Sequence, residues 1–128
     1  MKQRGFTVIE LLAFVVLLVI IGVVFWTQKT AIETSARDDK RKTAINALYY
    51  GLEEVYYPTN KAYPKSLTSS TLSSVDPAQF KDPDGNELGA SESDYRYEGK
   101  ECTNEACKSY ELRTKLENEA DFVKDSRN

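Results

Sequence analysis

Residues 5–26 read GFTVIELLAFVVLLVIIGVVFW, and Glu10 is the only charged residue among them. A helix rises about 1.5 Å per residue, so Phe6–Trp26 would be about 31 Å long, enough to cross the hydrocarbon core of a bilayer. An ionised carboxylate inside such a helix costs about 2.5–3.5 kcal/mol on insertion scales. The stretch therefore predicts a membrane-spanning helix whose single acid needs a partner.

A short basic segment precedes the apolar run. Lys2 and Arg4 are typical of the start of a signal peptide, but the small residue Gly5 comes before the apolar run and not after it. Cleavage after Gly5 would keep the helix on the mature chain and create a new amine at Phe6. That amine lies one helical turn before Glu10, so it could pair with Glu10 of the same subunit or of a neighbouring subunit.

The segment Arg4–Leu12 resembles the processing site of type IV prepilins and their pseudopilin relatives. The resemblance implies a leader peptide, residues 1–5, which a membrane-embedded prepilin peptidase removes by cutting between Gly5 and Phe6. It also implies N-methylation of Phe6 and a role for Glu10 in the register between subunits. The alternative is an uncleaved single-pass anchor that tolerates Glu10.

The charge balance bears on partners and on orientation. The chain has 17 Lys and Arg against 20 Asp and Glu and no His, so direct nucleic-acid binding is not expected and histidine catalysis is excluded. The resembling family keeps its amino terminus on the cytoplasmic side. A count of the basic residues near the apolar run favours the reverse orientation, because two precede it and five follow within about 16 residues: Lys29, Arg37, Lys40, Arg41 and Lys42.

Residues 28–57 predict an amphipathic continuation of the same helix. Apolar residues recur at helical spacing and form one stripe: Ile32, Ala36, Ala44, Ile45, Leu48, Leu52, Val55 and Tyr56. The charged block 37–42 is placed on the opposite side, where it forms local solvated pairs such as Asp38–Lys42 or bridges between subunits. Pro58 is predicted to end the helix.

Two segments near the carboxyl end alternate with a period of two and predict a hairpin. One face is apolar and carries Tyr95, Tyr97, Tyr110, Leu112 and Leu116. A register with Cys102 opposite Cys107 makes the apolar faces of the two strands coincide. The same register also places like charges opposite each other, at Glu98–Glu111 and Arg96–Arg113, which is unfavourable. Diagonal pairs of opposite charge, Glu98–Arg113 and Arg96–Glu111, could offset this repulsion.

The two cysteines are interpreted as a disulfide at the tip of this hairpin. The resemblance implies a domain outside the cytoplasm, where disulfides persist. A zinc site at Cys102 and Cys107 is the alternative, but a chain with two cysteines and no histidine lacks four good zinc ligands. The sequence therefore favours a structural disulfide.

Residues 82–87, Asp-Pro-Asp-Gly-Asn-Glu, form the only candidate metal loop in the sequence. Asp82, Asp84 and Asn86 alternate as at the start of a calcium loop, but Ser93 stands where an EF-hand needs an acid. Asp-Pro and Asp-Gly are also common turn formers. An ordinary turn is therefore the preferred interpretation, no cofactor is expected, and calcium is kept as an alternative.

The resemblance implies the α+β type IV pilin fold. A long helix, hydrophobic over residues 6–27 and amphipathic over 28–57, would pack on an antiparallel sheet in a carboxyl-terminal globular region, 58–128. Within that region, residues 66–74 are predicted to form a Ser/Thr-rich surface loop, anchored by Leu67 and Leu72.

The implied function is structural, and the sequence contains no catalytic constellation that would indicate an enzyme. A pilin is held in the cytoplasmic membrane and then extracted into an extracellular filament used for adhesion or motility. Its partners would be other copies of itself, the prepilin peptidase, the assembly machinery and, before assembly, membrane lipid. The alternatives are a minor pilin or pseudopilin of a type II secretion or DNA-uptake system, and a membrane-anchored extracellular binding module.

Overall fold

The computed structural model describes residues 5–128 and divides the chain into two compact units, Met1–Thr34 and Ser35–Asn128. Residues 1–4 of the expected leader lie outside the described residues. One helix, α1, spans Val8–Tyr50 and contributes to both units. The boundary between the units therefore lies inside α1, beyond the predicted change of character between residues 27 and 28.

In the first unit, α1 presents apolar side chains on all sides. The large apolar side chains from Phe6 to Trp26 are between 49% and 84% exposed. By length and composition this helix is able to cross a membrane, although a signal sequence near an amino terminus meets the same criteria. An apolar surface of this extent is normally covered by lipid or by other protein.

The helical path continues past Pro58, so the prediction that this proline ends it is wrong. A π-helical turn, Gly51–Tyr56, follows α1 directly and leads into the short helix α2, Tyr57–Asn60. Pro58 lies in the first turn of α2, where its missing N–H is tolerated. The path ends at Lys61, whose backbone adopts the left-handed region with a φ of 56°.

The described strands form one antiparallel sheet. They are β1 (Tyr63–Pro64), β2 (Tyr95–Thr103), β3 (Ala106–Thr114) and β4 (Phe122–Asp125). Strand β3 is central: β2 pairs along one edge, and β1 and β4 pair with different ends of the other edge. The predicted α+β layout, a long amino-terminal helix with a small antiparallel sheet, is confirmed at this level.

The predicted register of the β2–β3 hairpin is confirmed. Tyr97 lies opposite Leu112, and both like-charged pairs are present in the ladder: Glu98–Glu111 and Arg96–Arg113. The predicted diagonal relief is wrong, because Glu111 accepts a hydrogen bond from Lys100 Nζ at 2.7 Å instead. Lys100 follows Glu98 on the same face of β2, and its long side chain reaches Glu111 on β3. Arg96 instead donates to backbone carbonyl groups.

The core of the second unit lies between its helical segment and one face of the sheet. Helical residues contribute Ala44, Ile45, Leu48 and Leu52, and strand residues contribute Tyr63, Tyr95, Tyr110 and Leu112. The predicted loop anchors Leu67 and Leu72 are both buried and pack in the same core with Phe80. The predicted helical stripe is buried only in its middle part, since Ile32, Ala36 and Val55 are exposed.

Candidate assembly site

Thr7 and Glu10 cap the start of α1 reciprocally. Thr7 directly precedes the helix, and Glu10 is the third helical residue. The Glu10 N–H donates to Thr7 Oγ1 and the Thr7 N–H donates to Glu10 Oε2, each across 3.4 Å. This is the pairing of a capping box, in which the Glu10 N–H also donates to Thr7 O at 3.0 Å. The Thr-x-x-Glu spacing is readable in the sequence and gives Glu10 a local partner besides the predicted amine.

The surroundings of Glu10 leave room for a further hydrogen-bond donor. The carboxylate lies in the first helical turn, where the helix dipole stabilises anions. Its contacts with Thr7 are long compared with the usual N–H···O range of about 2.7–3.2 Å. Glu10 is exposed, so most of its capacity to accept hydrogen bonds is available to a further donor.

Gly5 and Phe6 lie outside the helix, directly before its cap. Phe6 is 84% exposed, and no atom lies within 4 Å of the place that a Cβ on Gly5 would occupy. Exposed chain outside regular structure is where proteolytic cleavage concentrates. The predicted scissile bond is therefore accessible, with the cap Thr7 one residue beyond it.

In the second unit, α1 is held by a group of ions centred on two buried residues, Asp38 and Arg41, and completed by the half-buried Asp94 and the exposed Glu117. We call this group the Arg41 cluster. Arg41 Nη1 donates to Asp38 at 3.0 Å and to Glu117 at 2.8 Å, and Nη2 donates to Asp94 at 2.8 Å. Asp38 in turn accepts the backbone N–H groups of Glu117 and Asn118. The cluster therefore ties α1 to the segments on both sides of the β2–β3 hairpin.

The predicted solvent position of the charged block 37–42 is wrong for Asp38 and Arg41, which are each only 3% exposed. The predicted Asp38–Lys42 pair is wrong as well, because Lys42 Nζ donates to Glu119 at 2.8 Å. Asp94, Glu117 and Glu119, which are distant in sequence, bond to these charges in place of water. Helical periodicity contains no information about such distant partners. Sequence reasoning therefore missed the cluster.

The surroundings of the cluster favour the ionised carboxylates. Burial alone would raise the pKa of Asp38, but hydrogen bonds from the Glu117 and Asn118 amides and from Arg41 hold it below its ordinary value. Hydrogen bonds from Arg37 and then from Arg41 lower the pKa of Glu117 to about 2. Both carboxylates are therefore negatively charged at neutral pH and attract the Arg41 guanidinium.

A second buried carboxylate, Glu53, ties the π-helical turn to the sheet. Tyr63 Oη donates to it at 3.0 Å, Tyr110 Oη at 2.9 Å and the Arg127 N–H at 3.2 Å. Burial, followed by the hydrogen bond to Glu53, raises the pKa of Tyr110. Glu53 is one of three consecutive buried residues in the π-helical turn. The turn thus directs a carboxylate, as well as apolar side chains, into the domain.

The predicted disulfide between Cys102 and Cys107 is present next to the hairpin turn. Cys107 is buried and Cys102 is exposed. A Cβ on Gly99 would lie 2.6 Å from Cys107 Sγ and 3.2 Å from Cys102 Sγ. The disulfide packs where Gly99 has no side chain, so this glycine is required by close packing.

The candidate calcium loop is an organised turn. Asp82 accepts backbone N–H groups of Asp84 at 3.0 Å, Asn86 at 2.8 Å and Asp94 at 3.1 Å. Burial would raise the pKa of Asp82, but these hydrogen bonds lower it. Carboxylate oxygens of Asp82, Asp84 and Asp94 lie within 4.8 Å of one another, a group in which Asp94 replaces the predicted Asn86. Because Asp82 is bound by amides and Asp94 by Arg41, the geometry supports the turn interpretation.

The described residues define an α+β protein with one helix able to span a membrane, an amino-terminal capping box and a disulfide-linked hairpin. No known protein family, curated protein or solved structure matches this chain. Its function is therefore inferred from the chemistry of these residues.

Proposed function

We propose that this chain is a structural subunit of a type IV pilus-like filament. It would be cleaved between Gly5 and Phe6, N-methylated at Phe6 and assembled through the apolar part of α1. One observation carries the proposal: Glu10 is the single charged residue in the exposed apolar stretch Phe6–Trp26, and it lies in the first turn of α1, four residues after Phe6.

The exposed apolar surface supports assembly through this helix. Soluble monomers rarely expose contiguous apolar patches larger than about a few hundred Å², whereas every large apolar side chain from Phe6 to Trp26 is exposed here. Lipid would cover this surface before assembly. In a filament, neighbouring copies of the helix would replace lipid, and close packing between helices would supply the cohesion.

Glu10 would set the register between subunits. An unpaired carboxylate in a dry helical bundle is costly, so a register that brings a new Phe6 amine to Glu10 is favoured over one that does not. Before assembly, Thr7 holds Glu10 through contacts of 3.4 Å. Assembly would exchange the contact with the Thr7 N–H for a charge-assisted hydrogen bond, typically about 2.7–2.9 Å.

The second unit would be the part displayed outside the membrane. Its disulfide is of the kind that persists in oxidising compartments. The subunit would lie in the cytoplasmic membrane with its amino terminus inside, and then in the extracellular filament. Its partners would be the prepilin peptidase, the assembly machinery and further copies of this chain.

The proposal is tested by expressing variants with the prepilin peptidase and the assembly machinery. Gly5→Val should block processing, because the branched side chain would occupy the position next to the scissile bond, and the precursor should accumulate on a gel. Glu10→Ala should be processed but should give few filaments. The matched control is Glu33→Ala, an exposed acid on the same helix, which should assemble normally.

Each readout can contradict the proposal. A mature-length band from Gly5→Val would exclude cleavage at this bond. Wild-type filament yield from Glu10→Ala would remove the role of Glu10 in assembly. A full-length chain retained in membranes would favour the binding-module alternative, while low abundance in sheared surface fractions would identify a minor pilin or pseudopilin.

A further inference from the structure

The outer face of the β2–β3 hairpin carries a cluster of positive charges. Arg96 and Arg113 lie directly opposite each other in the ladder, and Lys115 directly follows β3. These side chains, with Ser93, Asp94 and Asp121, line a cavity of about 200 Å³. Like charges placed opposite each other destabilise a sheet. Within residues 5–128, neither Arg113 nor Lys115 has an ion-pair partner, so this cost is not offset by a salt bridge.

Arg96 is fixed in place by neutral groups. Nη1 donates to Ala90 O at 2.8 Å and to Tyr95 O at 3.0 Å, and Nη2 donates to Ser91 O at 2.9 Å. Carbonyl oxygens orient the guanidinium without neutralising it. The Nε–H and the second Nη2–H have no hydrogen-bond partner in the described part of the chain. Nε and Nη2 lie along one edge of the guanidinium, the edge from which arginine binds an oxyanion through two parallel hydrogen bonds.

The balance of charge around the cavity is positive. Asp94 and Asp121 also line it, but Asp94 already accepts hydrogen bonds from Arg41. Arg41 is shared among Asp38, Asp94 and Glu117 and does not neutralise Asp94, so the three lining cations exceed the two lining carboxylates by one charge. A phosphate monoester carries about −1.5 to −2 charges at neutral pH and is attracted by a positive excess.

We propose that this cavity binds a phosphate-type oxyanion, with Arg96 as the bidentate contact and with Arg113 and Lys115 as additional cations. The anion would offset the repulsion between the two opposed arginines. Asp94 and Asp121 would weaken binding through like-charge repulsion, so the affinity is moderate. The site lies entirely within the second unit and does not depend on the proposed role of the amino-terminal helix.

The test is an NMR titration of the full chain in a maltoside detergent, which contains no phosphate group. The arginine Nε–H signals are followed while inorganic phosphate replaces chloride at constant ionic strength. We expect a saturable shift of the Arg96 Nε–H signal. Arg96→Gln and Arg113→Gln should each weaken binding by about tenfold or more, the loss expected for a charge-assisted hydrogen bond.

Two controls make the result specific. Lys65→Gln removes an exposed positive charge outside the cavity and should leave the affinity unchanged. Arg113 has no ion-pair partner among residues 5–128, so its substitution should leave the fold intact even if Arg96→Gln disturbs the segment around Ala90. A non-saturable shift, equal weakening by Lys65→Gln, or unchanged binding by Arg113→Gln would each overturn the proposal.

Glycerol phosphate distinguishes two sources of the same chemistry. Tighter binding of glycerol phosphate than of inorganic phosphate would assign the site to a phosphate displayed on a larger molecule. Tighter binding of inorganic phosphate would assign it to the free anion. Either result supports an oxyanion site.

Discussion

The two parts of α1 differ in how many charged residues they contain and in how those residues are surrounded. From Phe6 to Trp26 there is one acid, and the apolar side chains around it are exposed. In the second unit, by contrast, Asp38 and Arg41 are each 3% exposed and bonded to residues distant in sequence. Exposure in the first part indicates a surface that requires lipid or protein partners, whereas burial in the second part indicates charges whose partners the fold itself supplies.

The largest effect on stability should follow from breaking the Arg41 cluster. Arg41→Met keeps much of the side-chain volume but leaves Asp38 buried without its cation. We expect a loss of about 3–5 kcal/mol in the free energy of unfolding, the cost of removing one partner from a buried ion pair. The measurement is denaturant unfolding of the full chain in detergent, followed by near-UV circular dichroism.

The matched control for this variant is Arg37→Met. Arg37 also donates to Glu117, at 2.7 Å, but the pair is about one-third exposed. Its loss should cost no more than about 1 kcal/mol, as is usual for pairs near the surface. Equal losses from the two variants would show that the buried Arg41 contributes no more to the free energy of unfolding than the more exposed Arg37.

A smaller loss of stability is expected from an alanine substitution at Gly51, but not at Gly22. A Cβ on Gly51 would lie 2.6 Å from Val75 Cγ2 and 2.9 Å from Leu72 Cδ2, whereas nothing lies within 4 Å of a Cβ on Gly22. Gly51→Ala should therefore destabilise the second unit by about 1–3 kcal/mol through overpacking. Gly22→Ala should cause no loss in the same unfolding experiment. A neutral Gly51→Ala would mean that the loop carrying Leu72 and Val75 moves aside without cost.

The smallest expected effect is on thermal stability at acidic pH. The pKa of Glu117 is about 2 in the folded chain against an ordinary value of 4.5, so its contribution to stability is present above 4.5 and is lost as the pH falls toward 2. The lowered pKa of Asp38 acts in the same direction. Glu117→Gln should lower Tm at neutral pH and flatten the decline of Tm in acid.

The control in acid is Glu119→Gln, which removes the more exposed partner of Lys42. Its Tm should follow the wild-type curve in acid. A wild-type slope in Glu117→Gln would assign the acid sensitivity to other carboxylates.

Several features of the fold could be predicted because they depend on neighbours in sequence. Helical spacing identified Ile45, Leu48 and Leu52 as core residues, and alternation identified the register that brings Cys102 opposite Cys107. Periodicity reports which side chains share a face. It therefore predicts the apolar core and the hairpin without knowledge of the rest of the chain.

The polar contacts could not be predicted in the same way. Asp38 was placed in solvent because its partner Glu117 lies 79 residues further along the chain. The same limitation applies to Glu53, whose partner Tyr110 is 57 residues away. Pro58 was misread because the π-helical turn before it is not evident from local pattern. The cap of Glu10 by Thr7, in contrast, was readable from its Thr-x-x-Glu spacing.

Glu10 acts in the proposed assembly through its charge, whereas a helix cap needs only its hydrogen bonds. Glu10→Gln separates these roles, because glutamine at the third helical position also completes a capping box but cannot form an ion pair with an amine. The decisive measurement is the filament yield of this variant in the sheared surface fraction, normalised to the amount of processed subunit. We predict normal processing with a yield reduced by about tenfold or more, reflecting the loss of a charge-assisted contact in each subunit. Wild-type yield from Glu10→Gln would contradict the proposed pairing with the Phe6 amine and leave Glu10 as a cap.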